Sequence, residues 1–310
     1  MLQHLSRVAR LDDLCIITMT LSVLGDECPI GVFDSGIGGL SVLKEIHQLL
    51  PHENLIYVGD SAHAPYGDRT AKYVRERSQA IADFLLDQGV KVIVVACNTA
   101  TAEAATQLRE TMDVPVIGLE PAIKPAAQLS KSGIIGILAT QRTIDSERLL
   151  GLTERYAKDK KVLAQACPGL VEQVEAYKLD HPDTNRMLNQ YIRPLLMQGV
   201  DALILGCTHY PFLLSAIRNI TGDDIQILET GKPVAEQLKR VLNQNHLEVM
   251  AQPQNKIKTE IEIEYEAKKN SEDNSNTITF YNSSSDTQHH KAMKRLWHES
   301  INIKVLPKLV

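Results

Sequence analysis

The chain of 310 residues is poor in aromatics, at 5%, with one Trp and four Phe, so its 44% hydrophobic content must be packed chiefly as aliphatic side chains. It has no excess of positive charge: 33 Lys and Arg stand against 38 Asp and Glu, a net charge of −5, with no basic stripe in any segment. Nucleic acid is therefore not an expected partner. No apolar run is long enough to cross a bilayer. The longest near the N-terminus, Leu14 to Leu24, is interrupted by Thr18, Thr20 and Ser22. Arg7 and Arg10 precede that run, but Asp12 and Asp13 stand where a secretion signal should turn apolar, so residues 1–28 read as a plain extension. Five cysteines, at 15, 28, 97, 167 and 207, form neither a disulfide framework nor a CxxC metal pattern, which fits a reducing, cytoplasmic setting. Gly36, Gly38 and Gly39 do not fit GxGxxG and no P-loop Lys follows them, so no nucleotide or other cofactor motif is present.

What the sequence does have is a recurrence of short apolar runs rich in β-branched residues: "PIGVF" (29–33), "NLIYVGD" (54–60), "VKVIVVA" (90–96), "VPVIGL" (114–119), "GIIGILA" (133–139), "VLAQAC" (162–167), "ALILG" (202–206) and "IQILE" (225–229). Helical spacing fills the gaps, as in "LSVLKEIHQLL" and in "YVRERSQAIADFLLDQG", which ends at Gly89. Continuous apolar strands alternating with helices predict an α/β fold with mainly parallel sheets covered on both faces. His47 on the first helical stripe reads as a core-edge residue. The polar stretch 243–276 reads as a peripheral insertion, with "IKTEIEIEYE" and "NTITFYN" forming a β-hairpin, and the last segment reads as one more helix and strand.

Two cysteines occupy similar surroundings 110 residues apart: "VIVVACNTATAEAA" places Cys97 at a strand end, and "ALILGCTHYPFLL" does so for Cys207. The repeat suggests two lobes of similar plan. In an open α/β sheet, ligands collect at the carboxyl ends of strands beside helix N-termini. Unpaired N–H groups there bind carboxylates and lower a thiol's pKa below its usual value of about 8.5. Asn98, Thr99 and Thr208 add amide and hydroxyl donors, poor choices for mere packing. His209, two residues from Cys207, could serve it as base, as acid/base partner or as a fellow metal ligand, the last least supported because no second Cys/His pair accompanies it. Asp34 and Ser35 end the first strand, where an Asp can hold an ammonium group, assist proton transfer or cap a helix. Pro65, Tyr66 and Gly67 predict a tight, exposed turn with the Tyr hydroxyl and the Gly67 N–H free for a ligand. Cys167, before Pro168 and Gly169, lacks such donors and reads as packing, while Cys15 and Cys28 carry no signal. Two thiols facing one ligand from opposite sides could remove a proton from a carbon and return one to the other face, inverting the centre.

The set "DSGIGGL" (Asp34 to Leu40), "PYG" (65–67), "ACNTA" (96–100) and "GCTHYP" (206–211) resembles the glutamate racemases of the Asp/Glu racemase family, with "VPVIGLEPAIKPA", "ILAT", "CPGLVEQVE" and "ITFYNSSSD" as further matches. The resemblance implies a cofactor-independent two-base isomerase that makes D-glutamate for bacterial peptidoglycan. By the same resemblance Cys97 works on the D-enantiomer and Cys207 on the L-enantiomer, Asp34 and His209 assist them, and Ser35, Tyr66, Gly67, Asn98, Thr99 and Thr208 join Asp34 and His209 in binding substrate. Glu175 matches a family glutamate near the site. The implied architecture is two pseudo-symmetric three-layer lobes with the active site in the cleft between them: 29–117 with 231–310, and 118–230. A second copy of the chain and, because some family members with N-terminal extensions respond to it, a cell-wall precursor are candidate partners. "ETGKP" (Glu229 to Pro233) departs from the family's usual Asp-Ser-Gly. Two rival readings stay open: a different enzyme on this fold, such as a racemase for another amino acid or a one-cysteine decarboxylase, and a two-lobed protein that binds a dicarboxylate without chemistry.

Overall fold

The computed structural model describes residues 27–249, 277–298 and 300–309. Among the described residues, ten strands form two sheets. The first runs in the order β10-β9-β2-β1-β3-β4, from β1 (Ile30–Asp34), β2 (Leu55–Gly59), β3 (Val92–Val95), β4 (Val116–Gly118), β9 (Ile278–Asn282) and β10 (Ile303–Val305). The second runs β6-β5-β7-β8, from β5 (Ile134–Ala139), β6 (Lys161–Ala166), β7 (Ala202–Leu205) and β8 (Gln226–Leu228). Every pairing between these strands is parallel. All eight apolar runs from "PIGVF" to "IQILE" hold a strand, and the final segment holds a helix, Thr287–Trp297, and a strand.

The two sheets share one winding. Strands β1 to β4 are ordered second, first, third, fourth, and β5 to β8 repeat that order. In each, the strand order reverses between the first and third strands, which is where an open parallel sheet leaves a crevice at its carboxyl edge. The register repeats as well: Ala96 N–H donates to Phe33 O at 2.7 Å in one sheet, and Gly206 N–H to Leu138 O at 2.8 Å in the other. Cys97 and Cys207 are each the next residue along, so one topology delivers both thiols.

Both faces of each sheet are covered, as the near-uniform burial of β1, β3 and β7 requires. One cluster, with Val32, Leu43, Val94, Leu138, Leu203, Leu238 and Trp297, is continuous from one sheet to the other. Separate clusters fill the outer layers, around Ile81 and Leu108 on the first sheet and around Ile123 and Ile137 on the second. The helix Gly231–Gln244 crosses back to pack on Leu40–Leu49, returning the chain to the first sheet. His47 is only partly buried and its ring lies 6.0 Å from that of Trp297, a core-edge position.

One expectation needs correction. "NTITFYN" is not the arm of a local hairpin on its described sides: β9 lies between β2 and β10 and pairs with both in parallel. The proposed other arm, 257–266, and residues 1–26 of the extension lie outside the described residues. At the amino edge of the sheet, Lys91 Nζ meets Glu53 Oε2 at 2.6 Å and donates to Leu247 O at 2.7 Å, while Glu53 Oε1 accepts Val249 N–H at 2.9 Å. Both side chains are buried. Removing one member of a buried pair strands the other's charge. Lys91→Met is thus expected to cost about 3–5 kcal/mol, and Lys91→Met with Glu53→Met to recover most of it. Equilibrium urea unfolding of the two variants checks this; equal loss in both would refute it.

Candidate active site

The carboxyl ends of β1, β3 and β7, with the turn after β2 and Thr140 after β5, converge on one cleft. Ser35, Pro65, Tyr66, Gly67, Cys97, Asn98, Thr99, Thr140, Val171, Cys207, Thr208 and His209 line it. Its free volume is about 10 Å³, room for about one water molecule. The structure therefore brings all the candidates together, Asp34 included, since Asp34 lies behind Ser35 and Thr208.

Cys97 sits in extended conformation at the N-cap of the helix Asn98–Thr111, and its Sγ accepts the Ala100 N–H at 3.4 Å. The thiol donates to Ser35 Oγ at 3.6 Å, Ser35 Oγ donates to Asp34 Oδ1 at 3.4 Å, and Thr208 Oγ1 donates to the same oxygen at 3.5 Å. Asp34 Oδ2 accepts the Gly39 N–H at 2.8 Å. Asp34 is fully buried, and burial, outweighing the attraction of His209, raises its pKa. Burial likewise pushes the Cys97 thiol far up, with the Asp34 charge adding to it and the Ala100 N–H opposing. The expectation that the helix end lowers this thiol's pKa is thus overturned in the closed cleft: loss of hydration outweighs one N–H donor.

Cys207 has a different setting. It is followed by a single 3-10 turn, Tyr210–Leu213, before the helix Leu214–Thr221 begins, so no α-helix N-terminus lies at the sulfur. What it has instead is His209, whose Nδ1 is 3.7 Å from Sγ and whose Nε2 is 2.7 Å from Glu175 Oε1. Burial alone would lower the His209 pKa. The contacts with Cys207 and Glu175 outweigh it and hold the imidazole well above its ordinary value. Glu175 also accepts the Ile37 N–H at 2.7 Å on Oε1 and the Ser61 hydroxyl at 3.0 Å on Oε2, and Asn282 Nδ2 donates to Ser61 Oγ at 3.0 Å. The two thiols are equivalent in topology and unlike in chemistry.

The glycines of "DSGIGG" are explained by this packing. A Cβ on Gly36 would stand 1.9 Å from Glu175 Oε1, and one on Gly38 would stand 2.3 Å from His209 Nδ1. They let His209 and Glu175, from the second sheet's connections, lie on the backbone of the loop after β1. Gly67 does the same for Thr140, whose Cβ would be 2.7 Å away. Tyr66 and Gly67 are therefore buried and Pro65 partly so, contrary to the exposed turn expected, and the Tyr66 hydroxyl is not free: it donates to Asp60 Oδ2 at 2.6 Å, beside the Arg77 guanidinium on the same carboxylate. The Thr99 hydroxyl is also engaged, with Thr140 at 2.9 Å and Thr143 at 3.2 Å. Among the buried amide side chains of the described residues, Asn98 alone keeps both its oxygen and its nitrogen unbonded, at 5% exposure and on the cleft wall. A buried amide left unbonded costs about 1–3 kcal/mol per group, so its atoms suit a polar ligand.

Sequence reasoning placed Glu175 near the site but not on His209, and missed Asp60, Thr140 and Thr143. Asp60 and Thr140 do follow strands β2 and β5, so the strand-end rule applied evenly could have found them. Gly38→Ala is expected to displace His209 and cost about 1–3 kcal/mol, whereas Gly151→Ala, with nothing within 4 Å, should be neutral or stabilising by up to about 1 kcal/mol. Melting curves of the two variants check the contrast, and equal shifts would contradict the packing described.

Comparison with known proteins agrees with this geometry. Residues 30–238 match the model of the family described as Asp/Glu/Hydantoin racemase. A glutamate racemase of Ectopseudomonas mendocina (strain ymp) is 52% identical over 222 residues, 71% of this chain and 84% of that one. Among solved structures, glutamate racemase isoform RacE1 of Bacillus anthracis aligns with a TM-score of 0.76 and 30% identity over 92% of this chain and 99% of that one. Escherichia coli glutamate racemase, solved with L-glutamate and the activator UDP-MurNAc-Ala, aligns at 0.74 with 28% identity, over 90% and 97% of the two chains. With two sheets wound alike and a pair of thiols at their facing edges, the chain belongs to the Asp/Glu/Hydantoin racemase family and is an amino-acid racemase, an isomerase.

Proposed function

We propose that the chain interconverts L- and D-glutamate by a cofactor-independent two-cysteine proton transfer at Cα, in the cytoplasm, and so supplies D-glutamate for peptidoglycan. The observation that carries the reading is the pair of thiols lining one cleft from two sheets, each with its own proton-handling partners. The relatives' names and the L-glutamate in the E. coli structure support glutamate as substrate. The lobes are 29–117 with 231–310, and 118–230. A cell-wall precursor as effector is the reading favoured by the activator in that same structure.

In the L-to-D direction Cys207 takes the Cα proton as thiolate, with His209 holding the proton that left its sulfur and Glu175 orienting the ring. Cys97, a thiol in the closed cleft, returns a proton to the opposite face, and Ser35 and Asp34 follow the charge that then appears on its sulfur. The D-to-L direction reverses these roles. Asn98, Thr99 and Thr208 offer donors to the substrate carboxylates, which stabilises the carbanion-like transition state. Glutamate does not fit a cleft of about 10 Å³, so the facing loops part to admit it, and the Thr99–Thr140 bond gives way to substrate.

In D₂O, early product should carry deuterium at Cα while unreacted substrate stays protiated, and Cys97→Ser or Cys207→Ser should each lower racemisation by at least about 10³-fold. Deuterium appearing equally in both enantiomers would point to a single base, and tight binding without exchange would point to a binding protein. NMR with chiral chromatography reads all three outcomes.

Asp34→Asn provides an independent check. Asn can keep the Gly39 bond with its oxygen and donate to Ser35 and Thr208 with its nitrogen. Because the folded-state pKa of Asp34 is raised, its ionisation opposes folding above the unfolded value of 3.8, increasingly as pH rises towards the folded value. The variant should therefore be more stable by about 1–2 kcal/mol at neutral pH. That gain should vanish in acid, and activity should fall about 100-fold. A destabilised variant at pH 7 in calorimetry would contradict this account.

A further inference from the structure

The helix Asn98–Thr111 follows β3 of the first sheet, and the turn Gln141–Ile144 follows β5 of the second. Two cross-links join them. The inner one is the ring of hydroxyls on the cleft wall: Thr99 with Thr140 and Thr143, which are themselves 3.0 Å apart. The outer one is an ion pair. Glu103, one helical turn after Thr99 and on the same face, is 16% exposed and uses both carboxylate oxygens. Oε1 accepts from Arg142 Nη1 at 3.1 Å, across the cleft, and Oε2 from Arg75 Nη1 at 3.4 Å, within the first sheet's own layer.

These two links differ in how they respond to an arriving ligand. The hydroxyl ring occupies the donors that a carboxylate needs, so binding must break it. Hydroxyl contacts act only at contact distance, whereas two unit charges still attract as 1/r when they separate by an ångström or two. Arg142 also stands between Thr140 and Thr143 in the chain, so whatever holds Arg142 holds the two hydroxyls. Thr140 packs so closely on Gly67 that its position along the cleft is already set on that side. The geometry points to Glu103 and Arg142 as a positioning pair for racemisation: they keep the turn 140–144 in register over the cleft while Thr99 and Thr140 exchange their mutual bond for bonds to the substrate. This rests on the reading that an amino-acid carboxylate enters the cleft. Glu103 and Arg142 touch no substrate. They act through the threonines.

Arg75 provides the control, since it shares Glu103 but does not span the two sheets. In the full chain, Arg142→Met should raise KM for both enantiomers about three- to fivefold with kcat little changed, the scale expected of a partly exposed ion pair. The ratio kcat/KM should fall equally in both directions, as an equilibrium constant of one demands. Glu103→Gln, which keeps the shape, should match it, and the double variant should be no worse than either single one. Arg75→Met should leave KM within twofold of the parent. An unchanged KM in Arg142→Met, an equal rise in Arg75→Met, or a drop in melting temperature and kcat without a rise in KM would overturn the proposal. Should Arg142→Met fail to fold, Glu103→Gln carries the same test alone. If the parent chain does not racemise glutamate the underlying reading fails, and that result is visible before any variant is made.

Discussion

The Glu175 carboxylate receives Ile37 N–H and the Ser61 hydroxyl from the first sheet's loops and His209 from the second sheet's, so a single buried anion is shared by both halves of the cleft. Taking a carboxylate out of water costs several kcal/mol, and hydrogen bonds to a charged group return about 1.5–3 kcal/mol each. Three such bonds roughly cancel the cost. The net contribution is therefore mainly one of position: the anion is comfortable only where all three donors meet, and that defines how far the two sheets can approach. The loop glycines Gly36 and Gly38 belong to the same constraint, because any side chain there would occupy the space of Glu175 or His209.

The shared winding explains why two thiols arrive at equivalent places, and the loops explain why they do not behave alike. Cys97 borders a neutral hydroxyl and, behind it, a carboxylate whose ionisation is opposed by burial, and Cys207 borders an imidazole whose pKa is raised by its contacts with Cys207 and Glu175. Under the proposed two-base reading, the equal free energies of enantiomers in water mean that unlike bases cannot favour one product at equilibrium. The asymmetry can appear only in how kcat and KM divide within each direction.

Much of this was legible in the residues. Parallel β/α winding was readable because buried strands such as "VIVV" need apolar residues on both faces, and the site's location followed from where those strands stop. That the thiols, Asp34, Asn98 and His209 would meet at one cleft was readable from polar residues set against apolar runs. Side-chain commitment was not. Tyr66 was expected to be free and is bound to Asp60, and Glu175 is 34 residues from His209, so no local pattern announces their contact. The Cys97 pKa was misjudged because a helix end is visible in sequence whereas desolvation depends on what closes over it. The parallel pairing of β9 escaped because alternation identifies a strand and not its neighbour.

The first sheet takes its last two strands from residues 278–305, after the second sheet is complete in the chain. During synthesis β2 has an open edge while the whole second half is being made, since β9 is the strand that covers it. Asn282 at the end of β9 holds Ser61, which holds Glu175, so a strand made well after both thiols completes the support of their cleft. A chain that stops short of β9 therefore carries both thiols without the Asn282–Ser61–Glu175 support behind His209.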